Sequence, residues 1–189
     1  KAAAQIEASK AFSKAFMQEF GIPTAEYATF NNYYEARKYV MLAKRPLVVK
    51  ADGLAAGKGV RICDGATDAQ VALTQMMLEG AFGSAGSTVV VEELLTGREV
   101  SLLAFCDGKT VSVMPPARDH KRVYDNDLGG NTGGMGAFAP LQDVDAALAD
   151  EIRDKVLQPA IDGLAARGMP YVGVLYAGVM LTQDGLQNL

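Results

Sequence analysis

A segment rich in glycine and lysine contains the residue types that could contact a chain of phosphate groups. Apolar runs at residues 47–49 and 60–62 predict two strands around it, because β-branched residues suit a pleated surface. The segment comprises Lys50, Ala51, Asp52, Gly53, Gly57, Lys58, Gly59 and Val60. Glycine lets backbone N–H groups approach a ligand closely, and a lysine ammonium is a mobile charge suited to phosphate oxygens. The segment therefore predicts a cationic phosphate-binding loop, with an ordinary glycine-rich hairpin as the alternative.

Two common phosphate-binding motifs do not fit this loop. A Walker A motif has four residues between its first glycine and its Gly-Lys pair, whereas Gly53 and Gly57 enclose three. Gly59 also stands where that motif needs a serine or threonine. A Rossmann fingerprint has a third glycine that opens a helix, but Ile62 stands at that place in a strand-like run. Both motifs are excluded.

Two adjacent glutamates, Glu92 and Glu93, end the apolar run at residues 88–91. Because successive side chains of a strand point to opposite faces, one of the two is expected to face solvent. A buried carboxylate is costly unless it is paired or hydrogen-bonded, so the inward-facing glutamate would need a partner. The residues alone leave open whether both acids have no function.

A long connection at residues 117–140 exceeds what a simple turn requires, which predicts a functional loop. A basic cluster at residues 118–122 is followed by five glycines within residues 129–136, where the other three positions are asparagine, threonine and methionine. Basic residues followed by glycines predict a binding site for a second anionic ligand, with a solvated flexible loop as the alternative. His120 is either a general base or a hydrogen-bonding loop residue. A calcium loop starting at Asp125 is excluded, because its twelfth position is Gly136.

The composition is that of a soluble globular domain. The chain has 189 residues, of which 49% are hydrophobic and 21% charged, so disorder is not expected. A net charge of −4 argues against a dedicated nucleic-acid binder, and no apolar run approaches the roughly 18 residues of a membrane span. With one histidine and two unpaired-looking cysteines, a Cys/His zinc site is not expected. We therefore expect a cytoplasmic protein with neither a nucleic-acid nor a membrane partner, compatible with a monomer.

Helical spacing of apolar residues predicts the elements that position these motifs. A first helix reaches about Phe20, with Lys10 flanking its apolar stripe as a solvated lysine. Asn32 is a candidate N-cap for a second helix to about residue 43. Thr67 or Asp68 could cap a third. The apolar residues expected on its core face are Val71, Leu73, Met76, Met77 and Leu78.

The second half of the chain alternates strands with one long helix. Strands are expected from Glu99 to residue 106 and at residues 111–113, joined by a two-residue type I′ turn at residues 107–108. A helix over residues 143–167 is expected to kink or restart near Pro159. A strand at residues 171–181 and the start of another at residues 186–189 complete the pattern.

Taken together, these motifs resemble the ATP-grasp domain of the phosphoribosylamine–glycine ligase family. The specific blocks are VKADGLAAGKGV at residues 49–60, EELLTGREVS at 92–101, DHKR at 119–122 and NTGGMGA at 131–137. Shorter agreements are EASKAF at residues 7–12, IPTA at 22–25 and GVLYAG at 173–178. These blocks are spread along the whole chain and occur in the same order as in the family.

The resemblance implies an α+β ATP-grasp fold, in which two lobes of antiparallel sheet and helices hold ATP between them. It implies that residues 16–88 form a small lid lobe and that residues 1–15 and 89–189 form the larger lobe. The implied reaction joins glycine to 5-phosphoribosylamine through a glycyl phosphate and consumes ATP, with Mg²⁺ or Mn²⁺. Another ATP-grasp carboxylate–amine ligase and a non-catalytic nucleotide-binding module are the alternatives.

The resemblance also implies roles for individual residues. Lys10 and Lys50 would hold the nucleotide phosphates, and the glycine-rich loop with Lys58 would close over them. Glu99 would take the ribose hydroxyls. The segment at the edge of adenine would be Val91, Glu92, Glu93, Leu94 and Leu95. The residues on the phosphoribosylamine and glycine side would be His120, Lys121, Arg122, Asn131, Thr132, Gly133, Gly134, Met135 and Gly136.

The chain departs from the family pattern at its ends and in one loop. The family has a domain before residue 1, and beyond Leu189 a strand with metal ligands, an arginine segment and a further domain. We therefore expect this chain to be a partial ATP-grasp domain that binds ATP weakly and does not turn over alone. Phe138, Ala139 and Gly130 replace the expected Tyr, Ser and Pro, which changes the stiffness of the loop.

Overall fold

The computed structural model describes residues 2–55, 57–120, 122–125, 128–132 and 134–189. The chain divides into two compact units. Unit 1 comprises Lys1–Phe16 and Ala25–Leu95, and unit 2 comprises Met17–Thr24 and Thr96–Leu189. Helices and antiparallel strands occur in both units, which confirms the expected α+β class.

Unit 1 is built on a four-stranded antiparallel sheet. Its strands are β1 (Tyr27–Phe30), β2 (Leu47–Ala51), β3 (Val60–Cys63) and β4 (Val89–Glu93), in the spatial order β1-β4-β2-β3. Its helical elements are a 3₁₀ turn (Ala2–Ala4), α1 (Gln5–Ala8), α2 (Lys10–Glu19, which ends in unit 2), α3 (Tyr33–Leu42), α4 (Ala66–Leu73), a π-helical turn (Thr74–Leu78) and a second 3₁₀ turn (Gly83–Gly86).

One face of this sheet and helices α3 and α4 enclose the apolar core of unit 1. The fully buried members of the core include Ala36, Val40, Leu47, Val49, Ala51, Cys63, Ala69, Ala72, Leu73, Met76, Val89 and Val91. Residues directly opposite in the ladder share a face, and Val48 lies opposite Glu92 while Val49 lies opposite Val91. The face that carries Val48, Lys50 and Glu92 is therefore the one that does not contact this core.

Strand β4 determines where unit 1 ends. It pairs with β1 on one side and β2 on the other, and unit 1 extends to Leu95. The first sixteen residues belong to the same unit. The division that the resemblance implies, with residues 16–88 as one lobe and residues 1–15 and 89–189 as the other, stays a prediction. The lid role that the resemblance gives to the small lobe stays a prediction.

Unit 2 contains a second four-stranded antiparallel sheet. The strands of unit 2 are β5 (Arg98–Asp107), β6 (Val111–Val113), β7 (Arg118–Asp119), β8 (Arg122–Tyr124), β9 (Leu128–Asn131), β10 (Ala137–Phe138), β11 (Val172–Thr182) and β12 (Gly185–Asn188). The four-stranded sheet has the order β12-β11-β5-β6. Its helical elements are α5 (Ala146–Ile152), a π-helical turn (Arg153–Leu157) and α6 (Gln158–Ala166). Strands β7 and β10, and strands β8 and β9, form two short ladders within the segment expected to be a loop.

Several element boundaries differ from the sequence expectation for identifiable reasons. The first helix is interrupted at Ser9, whose backbone is extended because it begins α2. Gly65, not Thr67 or Asp68, precedes α4. The β5–β6 connection has three residues, 108–110, rather than a two-residue turn at 107–108, and the Asp107 carboxylate accepts hydrogen bonds from the N–H groups at positions 109 and 110.

The two π-helical turns account for further features of the helices. A π turn contains one extra residue, which changes the helical phase of the residues that follow its start. Leu73 and Met76 are buried as expected and Met77 packs against the core, but Leu78, at the end of the first π turn, is 60% exposed. Val71 lies before this turn and is also exposed, at 47%, so its assignment to the core face is wrong. The second π turn precedes Pro159, so the helix predicted over residues 143–167 restarts at the expected place.

Among the residues that the structure describes, none of the helices has both the length and the apolar character needed to cross a membrane.

Asn32 caps α3 as the sequence predicts, since its carbonyl oxygen Oδ1 accepts hydrogen bonds from the N–H groups of Tyr34 and Glu35. We expect Asn32→Ala to lower the free energy of unfolding by about 0.5–2 kcal/mol, because two helix-terminal N–H groups lose their acceptor. Equilibrium urea unfolding measures the change. Asn32→Asp should retain most of the stability, and Lys38→Ala, on the exposed surface of the same helix, is the control. Equal loss in Asn32→Asp and Asn32→Ala would contradict the capping role.

Candidate functional site

A buried carboxylate stands at the centre of the charged face of unit 1. Glu92 lies near the end of β4 and is 3% exposed. Its oxygen Oε2 accepts from two ammonium groups, at 2.9 Å from Nζ of Lys14 and 3.0 Å from Nζ of Lys50. Within the described parts of the chain, its other oxygen, Oε1, is buried and has no hydrogen-bond partner. We call Lys14, Lys50 and Glu92 the Glu92 cluster.

The two strands bring Lys50 and Glu92 together by register. Val48 lies opposite Glu92, and Lys50 is two residues further along β2, so both charged side chains are on the same face. Lys14 reaches them from α2 and is buried with them. Burial is the main cause that lowers the pKa of Lys14, and the charge of Glu92 opposes that shift. The cluster thus concentrates positive charge around one carboxylate.

Lys10 contacts the base of the glycine-rich loop. Its Nζ donates to the carbonyl oxygens of Ala51 at 2.8 Å and Gly53 at 3.1 Å. Burial, followed by the nearby charge of Lys50, lowers its pKa. Lys10 is therefore not the solvated helix lysine that its spacing alone favours, and it shares a positive region with Lys50.

Asp52 joins the same loop to the N-terminus of α2. Its carboxylate oxygen Oδ1 accepts from the Ser9 hydroxyl at 2.8 Å and from the Ala11 N–H at 2.7 Å, while its carbonyl oxygen accepts from the Lys10 N–H at 3.1 Å. The Phe12 N–H donates to the Ser9 hydroxyl oxygen. The first N–H groups of α2 are thus satisfied partly by a residue 41 positions away.

Two glycines of the loop occupy positions with little space, and a third has a backbone conformation that favours glycine. A Cβ atom on Gly59 would lie 2.6 Å from Cβ of Ala55, and one on Gly53 would lie 2.8 Å from Cβ of Ala85. Gly57 has φ +75°, a conformation that favours glycine. Lys58 is exposed beside it. The exposed ammonium of Lys58 is consistent with a group that approaches a ligand from the loop.

Glu93 faces away from the Glu92 cluster, as alternation predicts. It forms an ion pair with Arg45 at 3.1 Å and accepts a hydrogen bond from the Glu26 N–H at 2.9 Å. Arg45 also pairs with Glu26. Glu93 therefore has a structural partner in unit 1, while Leu94 and Leu95 follow it as half-buried residues at the end of the unit.

The remaining predicted residues belong to unit 2. Glu99 lies on β5, and its carbonyl oxygen accepts from Nε of Arg118 at 2.8 Å. The same guanidinium donates from Nη2 to Asp143 at 2.9 Å, and Arg98 donates to that carboxylate at 2.7 Å. Arg118 thereby fixes the start of the long segment against β5.

The glycine-rich part of the long segment at residues 117–140 lies against His120 through backbone hydrogen bonds. The His120 N–H donates to the carbonyl oxygen of Gly136 at 2.9 Å, and the Met135 N–H donates to the carbonyl oxygen of His120 at 2.7 Å. The Gly134 N–H donates to the hydroxyl of Thr132, and Arg122 pairs with Asn131 in the β8–β9 ladder. Two further predicted residues, Lys121 and Gly133, lie outside the described residues. Within the described part of the segment, the predicted substrate-side residues are neighbours.

The described residues also contain no group of three or more His, Cys, Asp or Glu side chains that could hold a metal ion.

Comparison with known proteins agrees with this geometry. The family model described as "Phosphoribosylglycinamide synthetase, ATP-grasp (A) domain" matches residues 8–189. The chain belongs to this family. The match covers the glycine-rich loop, the Glu92 cluster and the segment around His120, and it confirms the family resemblance of the sequence.

Individual members of the family show the same relation. The human trifunctional purine biosynthetic protein adenosine-3 is 53% identical over 184 residues, which are 97% of this chain and 18% of that protein. Phosphoribosylamine–glycine ligase of Streptococcus pneumoniae is 48% identical over 98% of this chain and 44% of that protein. The crystal structure of phosphoribosylamine–glycine ligase from Thermotoga maritima matches with a TM-score of 0.88 and 33% identity, over 100% of this chain and 48% of that one. The chain thus has the ATP-grasp fold and spans less than half the length of these relatives.

Two residues of this ATP-grasp domain were missed by the sequence reasoning. Lys14 was not singled out, although it lies four residues after Lys10 on the same helix, with Phe12 and Phe16 two positions away on either side. A charged residue on a buried helix face, together with an inward-facing glutamate that needs a partner, was the available signal. Ser9 was also missed. Its position before α2 is typical of an N-cap.

Asp52→Ala should separate the loop from α2. We expect the free energy of unfolding to fall by about 1–2 kcal/mol, because the Ala11 N–H and the Ser9 hydroxyl lose their acceptor. Urea unfolding measures the loss, and amide exchange at Ala11 should accelerate with it. Asp64→Ala, in the turn after β3, is the control. Unchanged exchange at Ala11 would contradict the capping role of Asp52.

Asp143 should titrate below its ordinary value of 3.8, because the hydrogen bond from Arg118 lowers the pKa of its carboxyl. Since this pKa is lower in the folded than in the unfolded protein, the carboxylate stabilises the fold above pH 3.8, and this contribution is lost as the pH falls through the folded pKa. A ¹³C NMR titration of the carboxyl carbon measures the midpoint. Arg118→Gln should raise it, and a midpoint above 3.8 in the unsubstituted protein would contradict the expectation.

Proposed function

We propose that this chain is the ATP-grasp part of an enzyme that joins glycine to 5-phosphoribosylamine in purine biosynthesis. The products would be glycinamide ribonucleotide, ADP and phosphate. The carboxylate of glycine attacks the γ-phosphorus of ATP and forms glycyl phosphate, and ADP leaves. The amine of phosphoribosylamine then attacks the acyl carbon, phosphate leaves, and the amine loses a proton.

One observation carries the nucleotide part of this proposal. Lys10, Lys14 and Lys50 converge beside the glycine-rich loop, and the carboxylate that partly compensates them keeps one buried oxygen without a partner. Phosphoryl transfer requires positioning and charge stabilisation more than covalent chemistry by the protein. Lys50 and Lys58 would contact phosphate oxygens, and Glu92 would accept a hydrogen bond from adenine.

The substrate part of the proposal rests on family membership and on the segment around His120. Backbone hydrogen bonds hold His120 against Met135 and Gly136, so a contiguous polar, glycine-rich surface is available in unit 2. The phosphate of phosphoribosylamine suits backbone N–H donors, and the ammonium group of glycine suits nearby carbonyl and side-chain oxygen acceptors. Glu99 would bind the ribose hydroxyls.

The metal is proposed on chemical grounds. Mg²⁺ or Mn²⁺ would neutralise charge on the nucleotide phosphates. That its ligands follow Leu189 stays a prediction, as does the cytoplasmic location.

The test is ADP release by the complete protein that carries this chain, with Mg–ATP, phosphoribosylamine generated in situ, and a panel of amino acids. We expect release to require glycine, and Lys50→Met to lower kcat/KM by about 100-fold or more, because charge on the transferred phosphoryl group loses a partner. Lys155→Met, which removes an exposed lysine of unit 2, is the matched control.

The outcomes separate the alternatives. If ADP release requires an acid other than glycine, the protein is still a carboxylate–amine ligase, but glycine is not its substrate. Equal ADP release in Lys50→Met and in the unsubstituted protein would contradict the role of Lys50. ATP binding without ADP release under any substrate would favour a nucleotide-binding module without catalysis.

A further inference from the structure

Lys14 and Lys50 contact the same oxygen of Glu92 but differ in their surroundings. The side chain of Lys14 is 3% exposed, whereas that of Lys50 is 13% exposed. The ammonium of Lys14 also lies 5.9 Å from the ring centre of Tyr27. Lys50 stands near the end of β2, where the glycine-rich loop begins. Lys14 is therefore enclosed by the protein, while Lys50 is open on one side.

We propose that Lys14 is a positioning residue of the nucleotide site, which acts as the permanent counter-ion of Glu92 while Lys50 moves to a phosphate. This inference rests on the proposed function and extends it. Lys14 holds the carboxylate in a fixed orientation, with Oε2 occupied and Oε1 available to the nucleobase. It does not itself touch the nucleotide.

The charges of the cluster support this division of roles. Glu92 carries one negative charge and faces two ammonium groups, so either one can leave without uncovering a bare carboxylate. A buried carboxylate that loses its last counter-ion is strongly destabilised. If Lys14 were absent, Lys50 would have to serve Glu92 and the phosphate at once. Of the other cations in unit 1, Arg45 is paired with Glu26 and Glu93, and the Lys10 ammonium donates to the carbonyl oxygens of Ala51 and Gly53. The pairing of Glu92 is therefore left to Lys14 and Lys50.

The unpartnered oxygen determines which nucleobase is preferred. An ionised carboxylate only accepts hydrogen bonds, so Oε1 suits an exocyclic amine such as that of adenine. A carbonyl oxygen at the same place, as in guanine, would face a buried negative charge. Discrimination of this kind is large when a mismatched ligand leaves buried polar groups unpaired. By holding the carboxylate in this orientation, Lys14 supports the preference for ATP over GTP.

The experiment compares kcat/KM for ATP and GTP in the complete protein that carries this chain. We expect Lys14→Met to raise KM for ATP by about 10-fold or more, because Lys50 must then pair with Glu92 and the phosphate at once. The ratio of kcat/KM for ATP to kcat/KM for GTP should fall by a similar factor, because Glu92 loses its fixed orientation. Lys14→Arg retains the charge and should keep the ratio within about 3-fold of the unsubstituted protein. Lys38→Met, on the exposed surface of α3, is the control for loss of one lysine.

A purely structural role for Lys14 would lower stability or total activity and leave the ATP-to-GTP ratio unchanged, and that result would overturn the inference. If Lys14→Met does not fold, the double variant with Glu92→Gln removes both charges. It should fold and lose the preference for ATP, and a preserved preference would likewise overturn the inference. Failure of the proposed function is distinct, since the unsubstituted protein with glycine and phosphoribosylamine would then form neither ADP from ATP nor GDP from GTP.

Discussion

A carboxylate removed from water must be compensated by charges that are removed with it, and the pairing of Glu92 satisfies this constraint in unit 1. Strand β4 brings Glu92 between β1 and β2, β2 brings Lys50 to the same face, and α2 brings Lys14. If any of these elements were displaced, a charge would remain buried without its partner, which is costly. The interaction therefore constrains the order of the sheet, the position of α2 and the beginning of the glycine-rich loop together.

The sheet of unit 1 carries apolar side chains on one face and charged side chains on the other, so one face can stabilise the fold while the other holds the charged residues. One face of the sheet packs Val49, Val89 and Val91 against α3 and α4, and the other face carries the Glu92 cluster. Apolar burial on the first face provides the free energy that supports costly charges on the second. Unit 2 achieves a similar result with hydrogen bonds, because Arg118 joins β5 to Asp143 at the start of its long segment.

Much of the fold and part of the site follow from the sequence, because both depend on local patterns. The strands around Lys50, the N-cap at Asn32 and the opposite orientations of Glu92 and Glu93 are consequences of spacing and propensity. The division at Leu95 and the partner of Glu92 depend on which strands and helices meet in space, and no local pattern contains that information. The exposed Leu78 shows a third limit, since a π turn changes the phase of a helix without a distinct composition.

The attachment of Asp52 to α2 also bears on the thermodynamics of ligand binding. Asp52 and Gly53 are held by Ser9 and Ala11, and by backbone hydrogen bonds to Thr88 and Ala85. Fixing the backbone of one residue costs roughly 1–2 kcal/mol of conformational entropy. The backbone entropy of Asp52 and Gly53 is already lost when the protein folds. Ligand binding therefore does not have to order these two residues. The base of the loop is thus preorganised, and a larger share of the interaction energy appears as affinity.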